Sequence, residues 1–299
     1  MESIITLKNV SKVFKNKTAV SQVSFSIQKG EIVAILGPNG AGKTTTMMMM
    51  LGLLESTEGS VQVFGKHPKE KCVREKMGAM LQEVSVIDAL KVREVIGLFR
   101  SYYEDPLSFE ELVGFTGFTK DVLQKRANKL SGGQKRRLGF ALAMAGNPDV
   151  LFFDEPTVGL DVTSRRVFWN TINELRQHGK TILFTTHYLQ EADDVAERVI
   201  LFHEGKMIGD GTPKSIKSKL TKQSVSFTLE RTVSHEEWFA IPGVTDVYEK
   251  EGRMYVITVD TDRVLKEIFI KNLPVQNIEI ERGRLEDAFE QLMEKREVV

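Results

Sequence analysis

Glu31-Ile32-Val33-Ala34-Ile35-Leu36-Gly37-Pro38-Asn39-Gly40-Ala41-Gly42-Lys43-Thr44 decides the fold class of this 299-residue chain. A short apolar run, long enough for one strand, enters a glycine-rich loop and then a helix-like segment, Thr45–Leu54. Gly37–Thr44 fits the pattern G-x-x-x-x-G-K-[ST]. Glycines at these positions let successive backbone N–H groups turn inward around phosphate oxygens. The helix behind them adds the positive end of its dipole. Gly37, Pro38, Asn39, Gly40, Ala41 and Gly42 are therefore candidate phosphate contacts, with Thr45 opening the helix. Lys43 is placed to neutralise β- and γ-phosphates, and Thr44 to ligate Mg²⁺. Strand, loop and helix in this order imply an α/β nucleotide-binding domain.

Outward from the loop, Val150-Leu151-Phe152-Phe153-Asp154-Glu155 reads as a buried strand ending in two acids. Carboxylates in that position stand at the carboxyl end of an open sheet, where ligands bind. Asp154 is then the partner for Mg²⁺, through water, and Glu155 is placed to act as general base on an attacking water. Thr181–Thr186, another apolar run suited to a parallel sheet, ends at His187. That histidine is expected to reach the γ-phosphate and position it. Leu130-Ser131-Gly132-Gly133-Gln134 precedes a helix-like segment, Gln134–Ala145. Small residues at a helix start expose unpaired N–H groups, a second anion-binding device without its own lysine or metal ligand. Taken alone, the same serine also reads as an ordinary helix cap.

The first ~220 residues alternate strands with helices, as expected for one large domain. Ile4–Val13 and Val20–Ile27 read as strands, and roughly residues 84–146 as a helical insertion. Pro213 and the polar run Lys214–Lys222 read as a linker. Beyond it, residues 221–299 follow the order βαββαβ with a closing helix, Leu285–Lys295, which resembles a small ferredoxin-like unit. The expected organisation is an ATPase domain over 1–220 and an accessory α+β domain over 221–299.

Composition narrows the classes of partner. Basic and acidic residues number 41 each, a formal net charge of zero, which argues against a protein devoted to bulk nucleic acid. The single cysteine, Cys72, excludes an internal disulfide and fits a reducing compartment. No stretch approaches 18 consecutive apolar residues, and Met1–Ile5 lacks the features of a signal peptide. If the chain works at a membrane, another chain is expected to supply the span. Met47–Met50 reads as core packing, and Lys135-Arg136-Arg137 as a solvated helix face.

Together these motifs resemble the ATPase subunits of ABC transporters across residues ~3–220. The resemblance rests on Gly37–Thr44, Gln82 after a short strand, Leu130–Gln134, Asp154-Glu155, Gly159-Leu160-Asp161 and His187, in the family's order. It implies a P-loop α/β fold of ABC type, a mixed sheet with a helical subdomain. It implies ATP and Mg²⁺, with Gln82 in the catalytic and metal sphere and Phe14 stacked on adenine. It also implies a head-to-tail dimer in which Ser131, Gly132, Gly133 and Gln134 of one copy cover the ATP held by Lys43 of the other. Asp161 would lie at that interface. Val84, Val86, Ile87 and Leu90 would form part of a groove for a helix of the membrane partner.

Lys135–Leu138, Thr185–Ala192 and Leu285–Phe289 are similar to the bacterial drug- and lipid-exporter branch, in which the permease is a separate chain. The chain would then sit in the cytoplasm, peripheral on the inner face of the membrane. An importer ATPase, or a soluble ABC ATPase acting on ribosomes or nucleic acid, are the alternatives.

Overall fold

The computed structural model describes residues 2–82, 89–220, 223–229, 231, 233–250 and 252–281. They form two compact units, Met1–Thr212 and Pro213–Val299.

The first unit begins with a long hairpin, β1 (Ser3–Phe14) and β2 (Lys17–Gln28), followed by β3 (Ile32–Leu36), α1 (Lys43–Met50), β4 (Glu58–Val63), α2 (Lys71–Arg74) and β5 (Met77–Met80). Next come α3 (Val92–Arg100), α4 (Phe109–Thr116), α5 (Lys120–Gln124), a 3₁₀ turn at Ala127–Lys129 and α6 (Gly132–Ala143). The sheet resumes with β6 (Val150–Asp154), α7 (Val162–Gln177), β7 (Thr181–Thr186), α8 (Leu189–Val195), β8 (Arg198–His203) and β9 (Lys206–Gly211). Helix α1 is shorter than its sequence suggests. Leu51–Leu54 form turns instead, with Leu53 N–H and Leu54 N–H both donating to the Met48 carbonyl at 3.0 and 3.2 Å. The 6→1 bond from Leu53 is a helix-ending device.

Two sheets share this unit. One is antiparallel, in the order β2-β1-β4; the other is mixed, in the order β5-β6-β7-β3-β8-β9. The pairs from β5 to β8 are parallel, and β9 closes antiparallel on β8. Every residue of β3, β6 and β7 is buried, which explains why these strands read as nearly all-apolar runs. Met47, Met49 and Met50 lie at or below 1% exposure in the core between the sheets, as their packing reading expects. A chain of ring contacts ties α6 and α7 to the sheet: Phe140 meets Phe153 at 5.6 Å and Phe168 at 5.3 Å, and Trp169 meets Phe184 at 4.7 Å. Of the expected permease groove, Val84, Val86 and Ile87 lie outside the described residues.

The second unit starts at Pro213, not at residue 221, because the expected linker is helix α9 (Pro213–Leu220). Proline is well suited to a helix's first position, where its missing N–H has no partner to lose, and Ile216 is buried at 5% exposure. Then follow β10 (Gln223–Leu229), α10 (His235–Phe239), β11 (Val244–Lys250), β12 (Arg253–Thr258), α11 (Thr261–Ile270) and β13 (Val275–Glu281). The antiparallel order β11-β12-β10-β13 completes the ferredoxin-like arrangement. The expected closing helix lies outside the described residues. The unit has its own core, centred on Trp238 and Phe227, both fully buried with ring centroids 4.9 Å apart.

The chain's two tryptophans fall one to each unit, Trp169 and Trp238. In a Trp169→Phe background, Phe227→Ala should lower the stability reported by Trp238 fluorescence in urea by about 3–5 kcal/mol. An unchanged midpoint would show that this contact is not part of the second unit's core.

Candidate functional site

Parallel register gathers the candidate residues. Leu36 of β3 pairs with Thr186 of β7, and Asp154 of β6 pairs with Thr185 of β7. The glycine-rich loop, the acidic pair and His187 therefore leave the sheet side by side at its carboxyl edge, where open α/β sheets bind ligands.

The loop Gly37–Thr44 depends on backbone that side chains would obstruct. At Gly37 (φ +154°) a Cβ would meet the Phe202 carbonyl oxygen at 2.2 Å. At Gly42 (φ +100°), which caps α1, it would meet that of Ala19 at 2.6 Å. Lys43 is 6% exposed, and its Nζ donates to the carbonyls of Gly37 (2.7 Å) and Pro38 (3.1 Å), so the ammonium is held across the loop's mouth. Burial pushes the Lys43 ammonium below its ordinary pKa, while Glu155 and then Asp154 push it back up. A phosphate beside it would act in the same direction as those carboxylates.

Asp154, 1% exposed, accepts from Thr44 Oγ1 at 2.9 Å and from Thr185 Oγ1. Two hydroxyls thus solvate the buried carboxylate without neutralising it. Thr44 and Asp154 form a close pair of hard oxygen donors, the chemistry Mg²⁺ takes when phosphate and water complete its octahedron. Thr185 also accepts from the Glu155 N–H at 3.0 Å. Glu155 has left-handed backbone (φ +48°), a minority conformation for a side-chain-bearing residue. Its carboxylate Oε1 lies 3.1 Å from His187 Nδ1. An acid and an imidazole in hydrogen-bond contact at the mouth of a phosphate loop can orient and deprotonate a water.

Phe14, Asn39, Gly40, Gly42, Lys43, Thr44, Thr45, Gln82 and Glu155 line one open cleft of ≈ 450 Å³. Phe14 is 46% exposed, with Lys12 Nζ 5.1 Å from its ring centre, so it offers an accessible aromatic face at the cleft wall. Ser131, Gly132, Gly133, Gln134 and Asp161 do not line this cleft. Ser131 and Gly132 are exposed elsewhere on the unit. The Ser131 hydroxyl accepts from the Gln134 N–H (3.3 Å), and the Gln134 side chain accepts from the Ser131 N–H (3.0 Å), a reciprocal capping box. The cap reading of this serine describes its own-chain contacts, and the helix start is open to solvent. Asp161 caps α7, accepting from the Ser164 N–H at 2.8 Å, and that backbone bond, followed by the Ser164 hydroxyl, holds its carboxyl below the usual range.

Three contributors escape the sequence patterns. Thr185 lies in an apolar run and resembles a β-branched core residue. Arg136, read as part of a solvated face, is half-buried: Nη1 donates to the Glu155 carbonyl at 2.8 Å and Nη2 approaches that of Gln82 at 3.4 Å. A third, Glu191 (6% exposed), accepts from Thr157 Oγ1 at 2.7 Å and lies 3.2 Å from Arg165 Nε, tying the loop after Glu155 to α7 and α8.

Comparison with known proteins identifies the family of the chain. The ABC transporter family matches residues 20–158. The chain is 36% identical over 219 residues to a Nod factor export ATP-binding protein I from Burkholderia lata, covering 71% of this chain and 72% of the relative. It is 36% identical over 228 residues to a probable multidrug ABC transporter ATP-binding protein of Escherichia coli, covering 73% of this chain and 39% of that longer protein. Among solved structures, a dimeric ATP-binding cassette in a post-hydrolysis state with ADP and Pi superposes with a TM-score of 0.65 at 28% identity, over 70% of this chain and 98% of that one. An ATP-binding subunit of an ABC transporter superposes at 0.67 and 25% identity, over 73% and 93%. With its phosphate loop, acidic strand end and second helix start in this arrangement, the chain belongs to the ABC transporter family, as one of its ATP-binding and ATP-hydrolysing cassettes.

Proposed function

We propose that the chain powers export of a drug-like, lipid or peptide cargo through a permease carried on a separate membrane protein. The observation that carries the catalytic part is the cluster at Glu155: a carboxylate in contact with His187, on the same cleft wall as Lys43 and Thr44. No helix among the described residues is long and apolar enough to cross a membrane, in keeping with a permease on another chain. The export direction rests on the names of the relatives, a Nod factor exporter and a probable multidrug transporter. The chain would act on the cytoplasmic face of the membrane, held there by the permease, with no nucleic-acid partner.

In this reading the loop N–H groups and Lys43 hold the β- and γ-phosphates, and Phe14 stacks on adenine. Thr44 and Asp154, with Gln82 at the cleft's edge, would hold Mg²⁺, which would supply positive charge to offset that of the phosphates. Glu155 takes a proton from water as the water oxygen bonds to the γ-phosphorus. The bond from that phosphorus to the bridging oxygen breaks, and the oxygen leaves with ADP. His187 orients Glu155 and the γ-phosphate. The helix start at Ser131–Gln134, outside its own chain's cleft, covers the nucleotide of a second copy in a head-to-tail dimer, with Asp161 at the shared face. A solved relative is itself a dimer.

Glu155→Gln should bind ATP, lose on the order of 10²-fold or more in turnover, and accumulate as an ATP-bound dimer by light scattering. Normal turnover would remove Glu155 from the base role. Ser131→Asp keeps an N-cap acceptor but sets a negative charge where the partner's phosphates belong. Hydrolysis should disappear while ATP binding to the monomer and the melting temperature stay near wild type; retained hydrolysis would place Ser131 outside the second site. Thr185→Val removes the hydroxyl shared by Asp154 and Glu155 without changing shape. It should cost about 1–3 kcal/mol of stability in denaturant and lower kcat more than it alters KM for ATP. A stability loss with unchanged kcat would confine Thr185 to the fold.

A further inference from the structure

Arg136 occupies an unusual place for a residue in a run of three cations. It is on α6, five residues after Ser131, yet it reaches the other nucleotide half-site of its own chain. Its side chain is half-buried and lines a ≈ 260 Å³ cavity with Met80, Arg137, Phe140, Pro156 and Phe168. The two bonds of its planar fork end on main-chain carbonyls, Glu155 at 2.8 Å and Gln82 at 3.4 Å. Glu155 needs such support. It combines left-handed backbone with a following proline, and the residue before a proline is sterically restricted. The bond from Arg136 to the Glu155 carbonyl orients the peptide that joins Glu155 to Pro156, the backbone from which the catalytic carboxylate projects. The charges of Glu155 and Asp154 lie close enough to oppose the effect of burial on this guanidinium.

We propose that Arg136 is a positioning residue that couples the two ATP sites of the dimer. Resting on the head-to-tail reading above, the coupling runs from the partner's nucleotide, through the start of α6, to Glu155 and Gln82 of the same chain. Movement of α6 against the partner's ATP sets the peptide of Glu155, so each site becomes competent when the other is filled. The contacts do not require conservation of charge alone. They require two donors in a fixed fork, which lysine lacks.

The test uses the purified full chain and two variants, Arg136→Met, which keeps the stem and removes the donors, and Arg136→Lys, which also keeps the charge. ATP hydrolysis is measured against ATP concentration, beside thermal melting and ATP binding by the monomer. Both variants should lose on the order of tenfold in kcat, with KM changed less than about twofold. Their Hill coefficient should fall to one from a wild-type value above one, with melting and monomer binding unchanged. Wild-type kcat and Hill coefficient in either variant would overturn the proposal. So would a loss of kcat with cooperativity intact, or a loss matched by a lower melting temperature in both variants. Failure of the underlying dimer reading looks different: Glu155→Gln would remain monomeric with ATP, and the wild type itself would show a Hill coefficient of one.

Discussion

The site depends on one buried carboxylate. Asp154 is 1% exposed and carries its charge at the end of a strand with apolar neighbours on both faces. An ionised carboxylate there is tolerable only if its lone pairs are met. Thr44 and Thr185 meet them with hydroxyls, from segments 110 and 31 residues away in sequence. These donors leave the charge in place. Satisfying Asp154 therefore joins the phosphate loop, β6 and β7, and the resulting junction is an electronegative point beside a cationic one at Lys43. Stability and chemistry make the same demand here: the fold cannot close well around Asp154 without building most of a nucleotide site.

Glu155, one residue on, is governed by different forces. Its main chain is held by Thr185 on one side and Arg136 on the other, while its side chain faces the cleft and His187. The strand thus ends in two acids with separate tasks, set by environment. The first is immobilised by hydroxyls and suited to a cation. The second is held at its backbone, leaving the carboxylate available to a proton. A left-handed conformation at Glu155, costing about 1–3 kcal/mol, is the local expense of turning that carboxylate out of the sheet's direction.

Much of this was legible in the sequence because it follows from short-range pattern. The phosphate loop needs glycines at fixed positions, so Gly37 and Gly42 announce it. The buried strands β6 and β7 show as nearly all-apolar runs, and the second unit's βαββαβ order shows as alternating texture. Helix ends were less legible: α1 stops at Met50 because backbone bonds to Met48 close it, and the signal for that stop is a single residue, Gly52, whose left-handed backbone (φ +69°) follows the C-cap. The polar run after Pro213 reads as a linker by composition, yet it forms α9, with Pro213 and Ile216 buried. Thr185 is invisible for another reason. Threonine suits a buried strand as well as valine does, and only the position of Asp154 across the register turns its hydroxyl into a ligand.

Arg136 shows where a charge run misleads. Consecutive residues on an α-helix point about 100° apart, so three span about 200° of the circumference. All three can face solvent only where less than half of the helix is covered. Helix α6 is enclosed nearly all round from Leu138 to Ala143, and at the cationic run Lys135 and Arg136 are half-buried while Arg137 is exposed. One cation of the three had to point inward there, and it could do so only by finding acceptors. Lys135 or Arg137 in that orientation would face the same requirement. The main-chain carbonyls of Glu155 and Gln82 supply acceptors for a planar fork. The geometry of burial thus selected which of three similar residues would contact the main chain at Glu155, before any requirement of chemistry is considered.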